Sequence, residues 1–242
     1  MCSSDLRSAL RQMVNAARNS TPRDRSVWVK RTQTLVAEWK QHASKQRDSE
    51  AVPMRPERAC REISAMLPEN AVVVSDTGHS GIWTGSMIDF TRRGQRLIRC
   101  AGTLGWGLSG ALGVKCALPD APVVCFAGDG GAYYHIAELE TAARYGINAV
   151  IIINNNGALN QEIPHFNHAY HGQAAERGEA LWGFSERNFA DIGKSLGCVG
   201  MRVEKPSELG PALTRAFAAN KPVVIDLVTD KYAFADKAWT GE

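Results

Sequence analysis

The sequence has 242 residues, of which 44% are hydrophobic and 22% charged, and its net charge is +3. This length suits one large or two small domains with a sizeable core, and so small a charge gives no argument for nucleic-acid binding. No run of about 18 apolar residues is present, and the polar N-terminus lacks a signal peptide, so we expect no membrane partner. The six cysteines are scattered without a CxxC pair, which favours free thiols and a cytoplasmic location.

Residues 1–50 are basic, with ten Lys or Arg against five Asp or Glu, and they contain no strand pattern. The spacing of apolar residues predicts helices over Leu6–Ala17 and Val27–Trp39, separated at Pro22. Because the charges are not clustered, we interpret them as a solvated helical face. The polar, proline-bounded stretch 45–55 is predicted to be a linker.

From Pro56 onward, helical and strand patterns alternate, which is typical of a parallel α/β sheet. We therefore predict a doubly wound α/β fold, with a mostly parallel sheet of about six strands flanked by helices and an N-terminal helical extension. The region 158–186 is polar and rich in histidine and aromatic residues, and is predicted to be a long irregular binding loop. The predicted strands are Ala71–Val74, Arg96–Arg99, Val123–Phe126, Ala149–Ile153, Cys198–Val203 and Pro222–Val228, and the predicted helices among them include Pro56–Leu67, Ile82–Ile88, Asn188–Leu196 and Pro206–Ala219.

The stretch 123–158 organises the chain. An apolar strand stops at Gly128-Asp129-Gly130-Gly131, a helical pattern follows, and a second apolar strand stops at Asn154-Asn155-Asn156-Gly157. A right-handed crossover between parallel strands brings both turns to the same edge of the sheet. One carboxylate with amide and carbonyl oxygens is a ligand set that suits Mg²⁺. The glycines Gly130 and Gly131 would let a phosphate approach backbone N–H groups at the start of the helix.

A second glycine motif lies earlier in the chain, where Gly105, Gly107 and Gly110 form a GxGxxG pattern. It follows a strand and opens a helix, and Asp129 lies about 20 residues further on, as in dinucleotide-binding folds. That interpretation does not require glycine on both sides of Asp129 or an asparagine cluster on the next strand. The alternative is that these small residues let the helix pack tightly on the sheet.

The Gly128-Asp129-Gly130 turn, a stretch of fixed length and an Asn pair after an apolar strand resemble the motif of thiamine-diphosphate (ThDP)-dependent enzymes. The acetolactate synthase, benzoylformate decarboxylase and pyruvate decarboxylase group is the most similar, and its C-terminal domain binds ThDP and Mg²⁺. The resemblance implies that the side chains of Asp129 and Asn156, which are 27 positions apart (156 − 129), and the carbonyl of Ala158 bind the metal. A register slip of one residue would substitute Asn155 and the Gly157 carbonyl.

The resemblance also implies further contacts with the cofactor and the substrate. Gly128, Gly130 and Gly131 would line the diphosphate site, while Leu104, in the aminopyrimidine pocket, would be the apolar wedge that bends the cofactor. The diphosphate would also meet Gly78, His79 and Ser80, although Ser80 could equally be a helix N-cap and His79 a surface residue. The aminopyrimidine would meet Gly102, Thr103 and Leu104, and the substrate candidates are Gln161 and His165.

The activity implied by the resemblance is decarboxylation of a 2-keto acid, carboligation, or both. The family's activating glutamate lies on a separate pyrimidine-binding domain, so we expect no catalytic residue in this chain. The partner would be a pyrimidine-domain chain or a missing N-terminal domain, in a homo- or hetero-oligomer without nucleic acid. Two alternatives are an NAD-dependent dehydrogenase built on the GxGxxG motif and a non-catalytic ThDP-fold partner subunit.

The expected domains are a helical extension or linker at residues 1–52, a ThDP-binding domain at 53–230 and a polar tail at 231–242. In the resembled family, short helices lead from a central domain into the ThDP-binding domain. We therefore hypothesise that the chain is the C-terminal part of a longer reading frame, in which Met1 to Leu6 would not be native.

Overall fold

The computed structural model describes residues 5–21, 23–172 and 175–235. Within them, six strands form one sheet in the order β2-β1-β3-β4-β6-β5, and every neighbouring pair is parallel. Helices flank this sheet, so the predicted doubly wound α/β fold is confirmed. The strands are β1 (Val72–Ser75), β2 (Arg96–Arg99), β3 (Val123–Gly128), β4 (Val150–Asn155), β5 (Val199–Val203) and β6 (Val223–Val228).

The described chain separates into two compact units, one within residues 5–42 and one within residues 43–235. The α-helices are α1 (Leu6–Arg18), α2 (Ser26–Arg47), α3 (Pro56–Met66), α4 (His79–Met87), α5 (Trp106–Ala117), α6 (Asp129–His135), α7 (Glu138–Tyr145), α8 (Ile163–Ala169), α9 (Ala175–Trp182), α10 (Phe189–Ser195) and α11 (Pro206–Ala218).

In the first unit, α1 begins at an N-cap, Asp5, whose carboxylate accepts hydrogen bonds from the backbone N–H groups of Arg7 and Ser8. Such caps satisfy amides that have no partner within the helix. The expected break at Pro22 lies outside the described residues. Helix α2 continues to Arg47, beyond the predicted end at Trp39, because the residues that follow are good helix formers.

In the second unit, the connectivity places a crevice between β1 and β3. The chain runs from β1 outward to β2, then crosses back over β1 to continue with β3 on its other side. Helices on the two sides of such a switch point leave a cleft at the carboxyl ends of the strands, where ligands bind in open α/β sheets. The turns after β1 and β3, and the neighbouring turn after β4, therefore border one site.

The central strands are buried because both faces of the sheet are covered. The side chains of β3 and β4 are apolar and buried as far as Gly128 at the end of β3 and the asparagines at the end of β4. One face packs against Leu108 of α5, Leu139 of α7 and Phe189 of α10. Strands buried on both faces read as continuous apolar runs, and this explains why the sequence pattern located them. The edge strand β2 is mostly exposed.

Two helices differ from their predicted bounds. Helix α4 begins at His79 rather than Ile82, since its first turn carries polar residues that the apolar spacing does not detect. Its N-cap is Gly78, whose φ of 69° turns the chain into the helix, so Ser80 is not the cap. The single helix expected after Asp129 is broken into α6 and α7 at Ile136 and Ala137.

The region 158–186 is more ordered than predicted. It forms a 3₁₀ turn (Asn160–Glu162), α8 and α9, and its two ends are joined by backbone hydrogen bonds. The Leu159 N–H donates to the Trp182 carbonyl at 2.7 Å, and the Phe184 N–H donates to the Gly157 carbonyl at 2.7 Å. Ile163 and Trp182 form a small apolar cluster with Ala158. These few apolar residues are too widely spaced to produce a sequence pattern.

The GxGxxG glycines allow close packing against the end of β1. The Gly105 N–H, at φ 91°, donates to both carboxylate oxygens of Asp76, at 3.1 and 3.0 Å. A Cβ added at Gly107 would lie 2.8 Å from the Asp76 backbone nitrogen, and one at Gly110 would lie 2.8 Å from the Trp106 ring. The backbone of α5 can therefore approach Asp76, directly after β1, only while Gly107 carries no side chain, and the absence of a side chain at Gly110 leaves room for the Trp106 ring.

We expect Gly107→Ala to destabilise the second unit by about 1–3 kcal/mol, because backbone atoms of Asp76 would have to move away from the new methyl group. The matched control is Gly113→Ala in the same helix, where a Cβ would meet no atom within 4 Å. That change should stabilise the chain by about 0.5–1 kcal/mol. Urea unfolding of both variants measures the difference, and equal effects would contradict the packing explanation.

Candidate functional site

The candidate site is a cavity of about 330 Å³ at the carboxyl edge of the sheet. It lies where the turns after β1, β3 and β4 meet, as the strand order requires. Its lining includes these residues singled out from the sequence: Gly78, His79, Ser80, Leu104, Gly128, Asp129, Gly130, Gly131, Asn156, Ala158 and Gln161. The structure thus brings most of the predicted site residues together.

Asp129 is the first residue of α6 and is only 2% exposed. Its Oδ2 accepts hydrogen bonds from the N–H groups of Gly157, at 2.6 Å, and Ala158, at 3.2 Å, and its Oδ1 accepts one from Gly130 at 2.7 Å. These bonds tie the end of β3 to the turn after β4, so the two turns meet through this one carboxylate.

The charge of Asp129 is not matched by a cationic side chain. Burial raises its pKa to about 6, even though the surrounding backbone N–H groups favour the ionised form. No Lys, Arg or His among the described residues forms an ion pair with it. A carboxylate in this position stays ionised at neutral pH at a cost that a bound cation would remove. Asn156 and Ala158 line the cavity beside it, and their amide and carbonyl oxygens are hard ligands of the kind that Mg²⁺ prefers.

The three asparagines after β4 differ in their partners. Asn155 points away from the cavity, and its Nδ2 donates to the Asp226 carboxylate at 2.8 Å and to the Arg187 carbonyl at 2.9 Å. Asn156 lines the cavity, and its Oδ1 accepts from the Ala158 N–H at 3.1 Å. Of the two register alternatives, this geometry therefore favours Asn156 over Asn155 on the side of Asp129.

The first turn of α4 forms the opposite wall of the cavity. The Nδ1 of His79 lies 3.1 Å from the Asn160 Oδ1, and its ring packs against Trp83. Burial lowers the pKa of His79 below its ordinary value, so the ring is neutral at pH 7. Ser80 is buried, and a Cβ added at Gly78 would lie 2.9 Å from the Gln161 Oε1. His79 is thus a half-buried wall residue, not a surface loop residue.

The glycines after Asp129 have packing roles as well as a place in the lining. The Gly130 N–H is already bonded to Asp129, and the space beside Gly130 is filled by the Leu159 side chain. A Cβ added at Gly131 would lie 2.7 Å from the Asp76 Oδ2 and 3.5 Å from the Leu104 Cδ1. Leu104 can therefore lie against the helix and still face the cavity.

Three predicted residues are not brought into the cavity lining. Gly102 and Thr103 are exposed in the turn before α5, where Gly102 has a φ of 94°. His165 is exposed on α8. The short helices of the 158–186 segment explain this last difference, because they turn His165 away while Gln161 stays at the cavity.

Asp76 shows what the GxGxxG motif does in this chain. Its buried carboxylate accepts from the N–H groups of Thr77, Gly105 and Gly107. Burial raises the pKa of Asp76, while these three donors favour its ionised form. The amides that a dinucleotide pyrophosphate would need at the start of α5 are thus bonded within the protein, which counts against the dehydrogenase alternative.

A known family matches this arrangement. The family described as "Thiamine pyrophosphate enzyme, C-terminal TPP binding domain" matches residues 76–227, from the turn after β1 to near the end of β6. The chain belongs to the thiamine pyrophosphate (ThDP) enzyme family. The matched range contains every residue that lines the cavity, and the resemblance drawn from Gly128-Asp129-Gly130 is confirmed.

Relatives of this ThDP enzyme domain are acetolactate synthases. The chain is 34% identical over 187 residues to a probable acetolactate synthase of Mycobacterium bovis, covering 74% of this chain and 32% of the relative. It is 31% identical over 198 residues to the acetolactate synthase large subunit of Haemophilus influenzae, covering 81% and 34%. The chain thus spans about a third of the length of these relatives, and it carries the ThDP-binding C-terminal domain of acetolactate synthase-like enzymes.

A solved structure agrees with this assignment. The ThDP-dependent 4-hydroxybenzoylformate decarboxylase of Rhodococcus jostii RHA1 superposes with a TM-score of 0.66 at 27% identity, covering 75% of this chain and 34% of that one. Its name indicates a decarboxylase, whereas the sequence relatives are synthases.

Within the described part of this ThDP domain, each helix is too short or too polar to cross a bilayer.

Several residues of the site were not found by sequence reasoning. Asp76 had a usable signal, because it is an acid placed directly after a buried strand and before a glycine turn. Arg99 lines the cavity at the end of β2, and its position at the carboxyl edge could have indicated this. Asn160 had no signal, since it lies in a segment without periodicity, yet it is buried and its Nδ2 donates to the Ala233 carbonyl at 2.8 Å.

The raised pKa of Asp129 predicts a pH dependence of stability in metal-free buffer. Between about pH 4 and 6 the folded chain binds this proton more tightly than the unfolded chain does. The protonation of Asp129 therefore adds up to about 3 kcal/mol to the unfolding free energy. This contribution is fully present below about pH 4 and is lost as the pH rises through about 6. Urea unfolding at several pH values, with EDTA present, measures it.

The control for this pH experiment is Asp129→Asn, which has no proton to titrate. The unfolding free energy of the wild-type chain relative to this variant should fall as the pH rises through that window. A difference that stays constant with pH would show that Asp129 does not titrate there.

Proposed function

We propose that this chain binds ThDP and Mg²⁺ as part of an enzyme that acts on a 2-keto acid by decarboxylation, carboligation or both. One observation carries the proposal. The carboxylate of Asp129 is buried, joins the turns after β3 and β4, faces the cavity, and forms no ion pair with Arg99, which also lines the cavity, or with any other cationic side chain among the described residues. A divalent cation would supply the missing positive charge, and the diphosphate that it binds would occupy the rest of the cavity.

In this proposal the metal is held by the side chains of Asp129 and Asn156 and by the carbonyl of Ala158. The Asp129 hydrogen bonds to the Gly157 and Ala158 N–H groups fix the turn that presents this carbonyl. Few protein ligands are needed, since Mg²⁺ keeps waters and phosphate oxygens in its shell. Within the described residues, no group of three or more His, Cys, Asp or Glu side chains offers a competing metal site.

The cofactor's diphosphate would lie against Gly78, His79, Ser80 and Gly128. His79 is neutral and is oriented by Asn160, so it can contact the diphosphate without adding a positive charge that would compete with the metal. The side chain of Leu104, which lies beside Gly131, would form the apolar wedge under the bent cofactor. When bound, ThDP supplies the electron sink that lets a 2-keto acid lose CO₂; the residues named here bind and orient it.

The proposed domain arrangement follows from the same assignment. Residues 53–230 would be the ThDP-binding domain, preceded by a helical extension at 1–52 and followed by a polar tail at 231–242. The pyrimidine-binding domain, with its activating glutamate, would come from another chain or from another part of the protein. Gly102 and Thr103 are exposed, which fits a cofactor ring shared with such a partner.

The first test is cofactor binding by isothermal titration calorimetry. The wild-type chain should bind ThDP in the presence of Mg²⁺ and give no heat with NADH, and Asp129→Ala should abolish the Mg²⁺-dependent binding because it removes the metal's anionic ligand. Asp191→Ala is the matched control, since that carboxylate is exposed on α10 and pairs only with Lys194 among the described residues. Unchanged ThDP binding by Asp129→Ala would refute the proposed metal site.

The second test separates a catalytic partner from a non-catalytic subunit. The isolated chain should release no CO₂ from a 2-keto acid, because the activating glutamate is elsewhere. Adding the protein encoded immediately upstream, or a pyrimidine-binding domain of an acetolactate synthase, should restore CO₂ release. If the wild-type mixture is inactive while ThDP binding is intact, the chain is a ThDP-binding subunit without this activity.

A further inference from the structure

One buried polar side chain of the cavity, that of Asn154, belongs neither to the proposed metal ligands nor to the diphosphate contacts. Asn154 is the fifth residue of β4 and pairs with Gly128 on β3. It is 2% exposed and lines the cavity. Its Oδ1 is buried and has no hydrogen-bond donor among the described residues.

The neighbouring buried amides are all bonded, which makes Asn154 different from them. Asn155 donates to Asp226, Asn156 accepts from Ala158, and Asn160 joins His79 to the Ala233 carbonyl. A buried acceptor without a donor destabilises the folded chain. We therefore expect the Asn154 Oδ1 to accept a hydrogen bond from a donor that enters the cavity with a ligand.

The chemistry of the ligand narrows the identity of that donor. Diphosphate oxygens are acceptors, so they cannot satisfy an amide oxygen. A divalent cation that keeps part of its hydration shell does bring donors, because its bound waters are polarised. Asn154 lies two residues before Asn156, which follows the end of β4, and both residues line the cavity.

We propose that the Oδ1 of Asn154 accepts a hydrogen bond from a water molecule bound to the divalent cation, and so raises the affinity of the site for the hydrated metal. This inference rests on the proposed function, because it needs a cation beside Asp129. It makes Asn154 a positioning residue for the metal's water shell. Asn154 would thus contact the metal only through this water molecule and would not be one of its direct ligands.

The test is Asn154→Leu, which removes the amide but keeps a side chain of similar size. The full chain is titrated with MgCl₂ by calorimetry in the presence of excess ThDP, and the apparent Kd for Mg²⁺ should rise about tenfold, equivalent to about 1.4 kcal/mol. Without metal or cofactor, the same variant should melt about 2–4 °C higher, because the unpartnered oxygen is gone. If Asn154 had only a structural role, its replacement would not weaken Mg²⁺ binding and raise the melting temperature at the same time.

The matched control is Asn148→Leu. The Asn148 Oδ1 is also buried without a donor among the described residues, but it lies before the other end of β4, about 20 Å from Asn154 along the strand. This change should leave the Kd for Mg²⁺ unaltered. Asn154→Ala, which adds no bulk, should weaken Mg²⁺ binding in the same direction as Asn154→Leu and covers a failure of the leucine variant to fold.

The outcomes are distinguishable. If wild type binds Mg²⁺ and ThDP, Asp129→Ala does not, and both Asn154 variants keep the wild-type Kd, then the role of Asn154 is refuted while the proposed function stands. If wild type itself fails to bind, both proposals are overturned. Weaker Mg²⁺ binding by the Asn154 variants alone, together with a higher melting temperature in their leucine form, supports the inference.

Discussion

The hydrogen bonds accepted by the Asp129 carboxylate hold together the ends of two neighbouring strands. One oxygen binds the N–H groups of the turn after β4, and the other binds the N–H at the start of α6. Parallel strands already place these turns side by side, but only a buried acceptor fixes their relative positions. The geometry of the cavity, from Asn156 to Ala158, depends on this contact.

A second buried carboxylate, Asp76, performs a comparable task at the other side of the crevice. It binds the turn before α5 through Gly105 and Gly107, so each of the strands β1 and β3 is followed by an acid that binds backbone amides. The two acids differ in their surroundings. Asp76 is enclosed by α5 and Gly131, whereas Asp129 faces the cavity. The same residue type therefore stabilises packing in one place and is available to a ligand in the other.

The sheet and the pair of turns were predictable because they depend on strong local signals. Continuous apolar runs mark β3 and β4, and the Gly128-Asp129-Gly130 turn has a definite spacing to the asparagines. The start of α4 was not predictable, since His79 and Ser80 are polar residues, of which tertiary contacts bury the first in part and the second almost fully. The short helices of 158–186 depend on bonds between distant backbone groups such as Leu159 and Trp182. The missing partner of the Asn154 oxygen could be recognised only once its neighbours were known.

The paired backbone bonds at the base of the 158–186 segment close it into a loop that begins and ends beside the turn held by Asp129. Leu159 and Phe184 form these bonds immediately beyond Gly157, and Ile163 of α8 and Trp182 of α9 pack on Ala158 in the same turn. A substitution at Ile163 or Trp182 would therefore disturb this turn as well, whereas exposed residues of α8, such as His165, can change without loosening these contacts.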